Sequence, residues 1–261
     1  MRAIKELHYF DTLESGAYQP QIKAHHAYLD RLRARMLVAE GEGLARATRK
    51  MNDVLQWQAI MRQRAANLPA YLDYLTDGRE DCSLVADITP SYALLPEQRL
   101  TEMATLTPSV RFVYLMRDPV SRLWSHIKMV ARRSTKAAEA VPAACYALLE
   151  NVLNGVTSGM TERGDYAGAI ARLNAAVDPT RLCVMFMEAM MTPAGLDRLS
   201  GFLGIRPMDA DFGRRVHAGP DLAMSDDQIQ RARVLLRPQY EFVARHYPDI
   251  PANWRKNMGE L

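Results

Sequence analysis

Between Ile22 and Thr76 the apolar positions fall at helical intervals. Leu29, Leu32, Met36 and Leu37 recur three or four residues apart or adjacent to such a step, which predicts amphipathic helices with one face on a core. Gly41 and Gly43 are placed to split the first helix, and Pro69 to open the last one. The block is rich in Arg and Ala and shows no strand pattern, so 22–76 reads as a helical insertion over a cleft. The first ten residues read as a short extended or turn segment.

From Cys82 the pattern changes. The run CSLVADI, Cys82 to Ile88, reads as a buried strand, TPSY as a turn, and Pro96 to Leu106 as a helix with proline in its first turn. VRFVYLM, Val110 to Met116, is a near-continuous apolar strand, and Pro119 directly after it is placed to begin a helix. Helices follow over Val141–Val156 and Gly164–Val177. A further strand is predicted within Arg181–Met190, and a helix from Thr192 to Leu203. The last helix runs from Ser225 to Pro248, with Ser225 as its N-cap. Apolar strands alternating with helices predict an α/β fold, a parallel sheet covered by helices on both faces.

Composition narrows the class. With 261 residues, 48% of them hydrophobic, the chain can bury one sizeable core, so a single domain over 1–261 is expected. A net charge of +3 is too small to argue for a nucleic-acid partner, but it allows an anionic ligand at one local site. Cys82, Cys145 and Cys183 are far apart and form no C-x-x-C pair, which fits reduced thiols and a cytoplasmic location. No run of about 18 apolar residues is present, so no membrane span is expected. MRAIKELHYFD has charges at Lys5, Glu6 and Asp11 and does not read as a signal peptide.

The chemistry concentrates in VRFVYLMRDPVSRLWSH, Val110 to His126. Arg117 sits just past the end of a predicted strand, Asp118 and Pro119 start a helix, and Ser125 lies about two turns in. In open α/β sheets ligands bind beyond the carboxyl ends of the strands. An Arg fork there, a Ser hydroxyl and the N–H groups of the helix start would suit a phosphate. The same residues also fit a plainer role, finishing a strand and capping a helix. Arg122 either faces the same way or makes a surface ion pair. His25 and His26 are adjacent, do not share a helix face and are not read as a metal pair.

Arg117, Asp118, Pro119, Arg122 and Ser125 together resemble the R-D/N-P-x-x-R-x-x-S motif of the sulfotransferase superfamily. The resemblance implies a P-loop-NTPase-like parallel sheet flanked by helices. It implies that Arg117 and Ser125 bind the 3′-phosphate of PAPS (3′-phosphoadenylyl sulfate), the sulfuryl donor. KELHYFD, Lys5 to Asp11, resembles the K-E-x-H-F/Y-F stretch of heparan-type and related bacterial sulfotransferases, which makes Glu6 the general base. His8 is a second candidate for that base, with a structural histidine as the preferred reading, and Lys5 orients Glu6 or faces solvent. DITPSY (Asp87 to Tyr92) is similar to the segment beside that family's acceptor pocket, and GDYAGAIARL (Gly164 to Leu173) to its G-x-Y helix, without the usual Trp. RLCVMFMEAM matches the Y-E-D-L-like turn only in part. RRVHAG, Arg214 to Gly219, corresponds to the loop closing over the nucleotide.

The implied reaction moves a sulfuryl group from PAPS to a hydroxyl of a sugar, a lipid or a small metabolite, and requires no metal. In the family, the K-E-x-H-F stretch follows a strand and a P-K-S/T-G-T-S/T loop that holds the 5′-phosphosulfate. No P-K-x-G-T and no G-x-x-x-x-G-K-S/T occurs in this sequence, so that strand and loop are expected to be missing from the chain. A late-assigned start, a shortened chain and a relative without turnover all remain open. So do two other classes: a module that binds 3′-phosphoadenosine nucleotides without catalysis, and a helical interaction protein. Trp57, Tyr71 and Tyr74 either line the acceptor pocket or pack the core.

Overall fold

A computed structural model describes residues 3–135, 137–157, 159–207, 209–213 and 221–259. The chain divides into two compact units, residues 1–108 and 109–261.

The first unit is helical: α1 (Tyr9–Ser15), α2 (Tyr18–Met36), α3 (Gly41–Arg62), α4 (Leu68–Thr76) and α5 (Glu97–Ala104). The helical pattern over 22–76 is realised as α2, α3 and α4, with Pro69 in the first turn of α4 and Asn67 capping it through Ala70 N–H. Leu29, Leu32 and Val54 make an apolar seam between α2 and α3. A denser aromatic core gathers Tyr9, Phe10, Trp57, Tyr71 and Tyr74, all buried. Tyr9 stacks on Tyr71 at 4.7 Å, and Trp57 lies 4.8 Å from Tyr74. These rings are core, and Trp57 Nε1 donates to the Leu7 carbonyl at 3.2 Å.

Residues 3–8 form neither helix nor strand, as expected for a short extended or turn segment, and α1 begins at Tyr9, entered through His8 at φ 53. One expectation fails in this unit. CSLVADI forms no strand, and Leu84 and Ile88 are exposed. A strand needs ladder partners as well as apolar residues, and the described residues of the unit supply none for it. The segment is held by the Asp87 side chain and by a short 3₁₀ turn over Pro90–Leu94.

The second unit holds β1 (Phe112–Met116), α6 (Pro119–Ser134), α7 (Val141–Leu153), α8 (Tyr166–Ala176), β2 (Leu182–Phe186), α9 (Met187–Met190), α10 (Pro193–Leu203), α11 (Asp226–His246) and α12 (Ala252–Met258). β1 and β2 pair in parallel, with Phe112 opposite Leu182 and Met116 opposite Phe186. They are the strands among the described residues, so the sheet is a two-stranded parallel pair within a mainly helical unit. Tyr114, Met116, Val184 and Phe186 face a core shared with Leu123, Ile127, Leu149, Tyr240 and Trp254. Val113 and Leu115, on the other face of β1, stay partly exposed. Ser225 caps α11 with a reciprocal capping box to Gln228. Among the described residues no helix is long and apolar enough to cross a membrane.

Candidate functional site

In the second unit the junction from β1 to α6 is fixed by buried hydrogen bonds. Asp118, fully buried, caps α6 by accepting from Ser121 N–H at 2.8 Å. It also accepts from the Tyr240 hydroxyl at 2.8 Å and from Asn257 Nδ2 at 2.8 Å. Its own N–H donates to Glu188 Oε1 at 3.3 Å, and Asn253 Nδ2 donates to the same oxygen at 3.0 Å. Three donors converging on one carboxylate make Asp118 a hub between α6, α11 and α12.

The helix start is therefore not open to an anion, contrary to the sequence expectation. Pro119 has no N–H. Val120 N–H points to the Tyr240 hydroxyl at 3.4 Å, Ser121 N–H goes to the Asp118 carboxylate, and Arg122 N–H to the Asp118 carbonyl at 2.8 Å. Capping has used the donors that an exposed helix end leaves for a phosphate. Any anion held at this junction would have to be held by side chains.

Among the described residues, neither the Arg117 guanidinium nor the Ser125 hydroxyl has a hydrogen-bond or ion-pair partner, and both residues are half-buried. The Arg117 backbone, by contrast, is pinned: its N–H donates to the Tyr166 hydroxyl at 3.2 Å, and that hydroxyl donates to the Arg117 carbonyl. Tyr166 is buried, which pushes its phenol up to about 12 and keeps it a neutral donor.

Arg122 takes neither of the two roles expected for it. It turns inward over Gly164, where an added Cβ would lie 2.9 Å from its Nε, and it donates to the Met160 carbonyl at 3.0 Å. Burial lowers its pKa. A side chain at Gly164 would have to displace the end of Arg122, and the backbone angle there makes no demand for glycine. His126 Nδ1 lies 3.4 Å from the Met160 carbonyl, and burial lowers its pKa too. RDPVSR and GDY, almost fifty residues apart, close on one another.

In the first unit Glu6 is exposed, and its Oε2 lies 3.2 Å from His8 Nε2. His8 Nδ1 lies 2.8 Å from Asp11 Oδ2. Hydrogen bonds to Asp11 and then Glu6 raise the His8 pKa to about 9 against the cost of burial. At neutral pH His8 is a cation that donates to both carboxylates and has no lone pair with which to act as a base. Lys5 is exposed.

The loop that carries Glu6 is tied to DITPSY. Thr89 Oγ1 accepts from Leu7 N–H at 3.1 Å and donates to Asp87 Oδ1 at 2.7 Å. The Tyr92 hydroxyl accepts from Tyr9 N–H at 3.1 Å and donates to Asp87 Oδ2 at 2.6 Å. Tyr71 adds a third donor to Asp87 at 3.2 Å. Burial raises the Asp87 pKa, and the donors from Tyr92, Thr89 and Tyr71 pull it back. Sequence reasoning found Asp87, Thr89 and Tyr92 through their segment. It missed Tyr240, Asn257 and Glu188 as holders of Asp118, because no local spacing marks contacts 70 to 139 residues away.

His25 is buried and His26 is exposed beside Arg62 at 2.9 Å. Among the described residues no three His, Cys, Asp or Glu side chains gather as a metal site. The expected nucleotide-covering loop, Arg214 to Gly219, lies outside the described residues. No protein-family model, curated protein or solved structure matches this chain.

Proposed function

We propose that the chain belongs to a PAPS-dependent sulfotransferase, with Arg117 and Ser125 as the 3′-phosphate site and Glu6 as the general base. The observation that carries the reading is the β1–α6 junction. Its backbone and Asp118 are locked from four sides, yet among the described residues the Arg117 guanidinium and the Ser125 hydroxyl have no hydrogen-bond or ion-pair partner. A fixed frame that presents an unpaired Arg fork and a hydroxyl suits an oxyanion with several acceptor oxygens. The parallel β1–β2 pairing supports the finer fold reading, a P-loop-NTPase-like sheet.

PAPS supplies the sulfuryl group: the acceptor oxygen bonds to sulfur, the bridging bond to the nucleotide breaks, and 3′,5′-bisphosphoadenosine leaves. In this scheme Glu6 takes the proton of the acceptor hydroxyl. The protonated His8 anchors the Glu6 carboxylate from behind, and the Asp87–Thr89–Tyr92 network fixes the loop on which both stand. The acceptor is a hydroxyl compound, a sugar, a lipid or a small metabolite.

The test is thermal unfolding with and without 3′,5′-bisphosphoadenosine. A ligand at about a hundred times its Kd adds about 2.7 kcal/mol by mass action, a rise of several degrees in Tm. The rise should vanish in Arg117→Ala and shrink in Ser125→Ala. It should persist in Glu6→Gln, which loses sulfuryl transfer from PAPS. A folded sample that shows no rise overturns the nucleotide site. A rise without turnover of any hydroxyl acceptor leaves a binding module, and an active Glu6→Gln removes Glu6 from the role of base.

A further inference from the structure

The turn between α2 and α3 has no part in the sites described above, and its chemistry is unusual. Leu37 is 87% exposed and Val38 is 84% exposed. They sit at the apex of a hairpin whose two helices run 19 and 22 residues, each about 30 Å long. Between the buried Leu32 and Ala47 no residue is buried, so the apex projects past the last packed layer of the seam between the helices. Among the described residues of the first unit, nothing covers these two side chains.

The flanks carry charge of one dominant sign. Arg31 to Lys50 holds six Arg or Lys residues against Glu40 and Glu42, a larger positive balance than the +3 of the whole chain. Arg33 is paired with Asp30 at 2.8 Å, and Arg31 lies over the Tyr28 ring. Arg35, Arg46, Arg49 and Lys50 are exposed, and among the described residues they have no acidic partner. Arg33 and Arg35 suit the negative end of α2. That local role accounts for neither Arg46, Arg49 and Lys50 on α3 nor the bare aliphatic pair at the apex.

We propose that the α2–α3 apex docks on a lipid surface rich in anionic headgroups. Leu37 and Val38 enter the boundary between headgroups and acyl chains, and the arginines on both helices lie at the level of the phosphates. A bilayer interface rewards both features together, an apolar point and a cationic collar. A soluble polyanion would pair with the collar and gain nothing from Leu37 and Val38. The contact is peripheral, since the apex is a few residues deep. The proposal is independent of the sulfotransferase reading.

The experiment is co-sedimentation of the full chain with vesicles of phosphatidylcholine alone and of equal parts phosphatidylcholine and phosphatidylglycerol. Binding is expected to the mixed vesicles only, and to weaken as salt rises. Leu37→Ser combined with Val38→Ser should lower it about tenfold or more. Both positions are exposed, so the variant keeps its fold, which an unchanged thermal transition checks. Arg46→Gln with Arg49→Gln should lower binding and flatten its salt dependence. Leu37→Trp should shift its emission to the blue on mixed vesicles. Arg117→Ala should bind as the parent does, so failure here and failure of the nucleotide site are separable. No binding to mixed vesicles overturns the proposal. So does binding undiminished by the double serine variant, with heparin competing equally, which would mark a site for a soluble polyanion.

Discussion

At the scale of single residues, three ionisable groups, Asp118, His8 and His25, carry most of the testable content. Asp118 receives three donors in a fully buried setting. Asp118→Ala would leave the Tyr240 hydroxyl, Asn257 Nδ2 and Ser121 N–H without their acceptor, at a cost of about 3 kcal/mol. Urea unfolding followed by tryptophan emission measures it; a loss under about 1 kcal/mol would mean that water replaces the carboxylate. Asp118 was legible as a helix cap from its place before Pro119. Its larger role was not, because Tyr240 and Asn257 reach it from the far end of the chain.

His8 and His25 pull stability in opposite directions with pH. The His8 pKa is raised to about 9, so its stabilisation is complete below its ordinary value of 6.5 and is lost as pH rises through about 9. Burial, and then the nearby His8 and His26, lower the His25 pKa to about 4. Below 6.5 the unfolded chain takes up a proton that folded His25 refuses, so its contribution is lost as pH falls toward 4. The pair favours a stability maximum close to pH 6.5. Histidine ring resonances should show one midpoint near 9 and one near 4. If His8 titrates near 6.5, the Glu6–His8–Asp11 triplet does not form in solution.

At the scale of elements, helices were read well where a period and a stop signal coincided. α5, α7, α8 and α11 fall inside the spans that their spacing predicts, and Ser225, Pro119 and Pro69 act as expected at helix starts. The failure at Cys82–Ile88 has a physical cause: an apolar run states that a segment prefers burial, but a strand also needs a neighbour for its N–H and C=O groups. Gly195 shows the converse, a requirement that no pattern announces. It stands in the first turn of α10 against the α9 backbone, where an added Cβ would overlap the Ala189 carbonyl and lie 2.8 Å from Met190 Cα. Backbone cannot yield there as a side-chain end would. Gly195→Ala should cost about 2–3 kcal/mol by chemical denaturation, whereas Gly201→Ala, with open space around it, should be neutral or slightly stabilising.

At the scale of the whole molecule, the chain divides into residues 1–108, which hold Glu6, and residues 109–261, which hold Arg117 and Ser125. Hydrogen exchange with 3′,5′-bisphosphoadenosine should therefore slow amides around β1 and α6, with no slowing in the aromatic core around Trp57. Protection confined to the first unit would contradict the placement of the nucleotide at Arg117 and Ser125. Local order along the chain determined much by itself: the helical block, the apolar strand ending at Met116 and the cap at Asp118. These depend on neighbours within a few residues, and periodicity and capping are properties of that range. Tertiary structure alone decided which apolar run found a ladder partner, that Arg122 turns onto Gly164, that the α6 amides are already taken, and that Leu37 and Val38 stay bare. Each of those depends on which distant groups arrive to compete for a hydrogen bond or a buried volume, and local spacing carries no record of that.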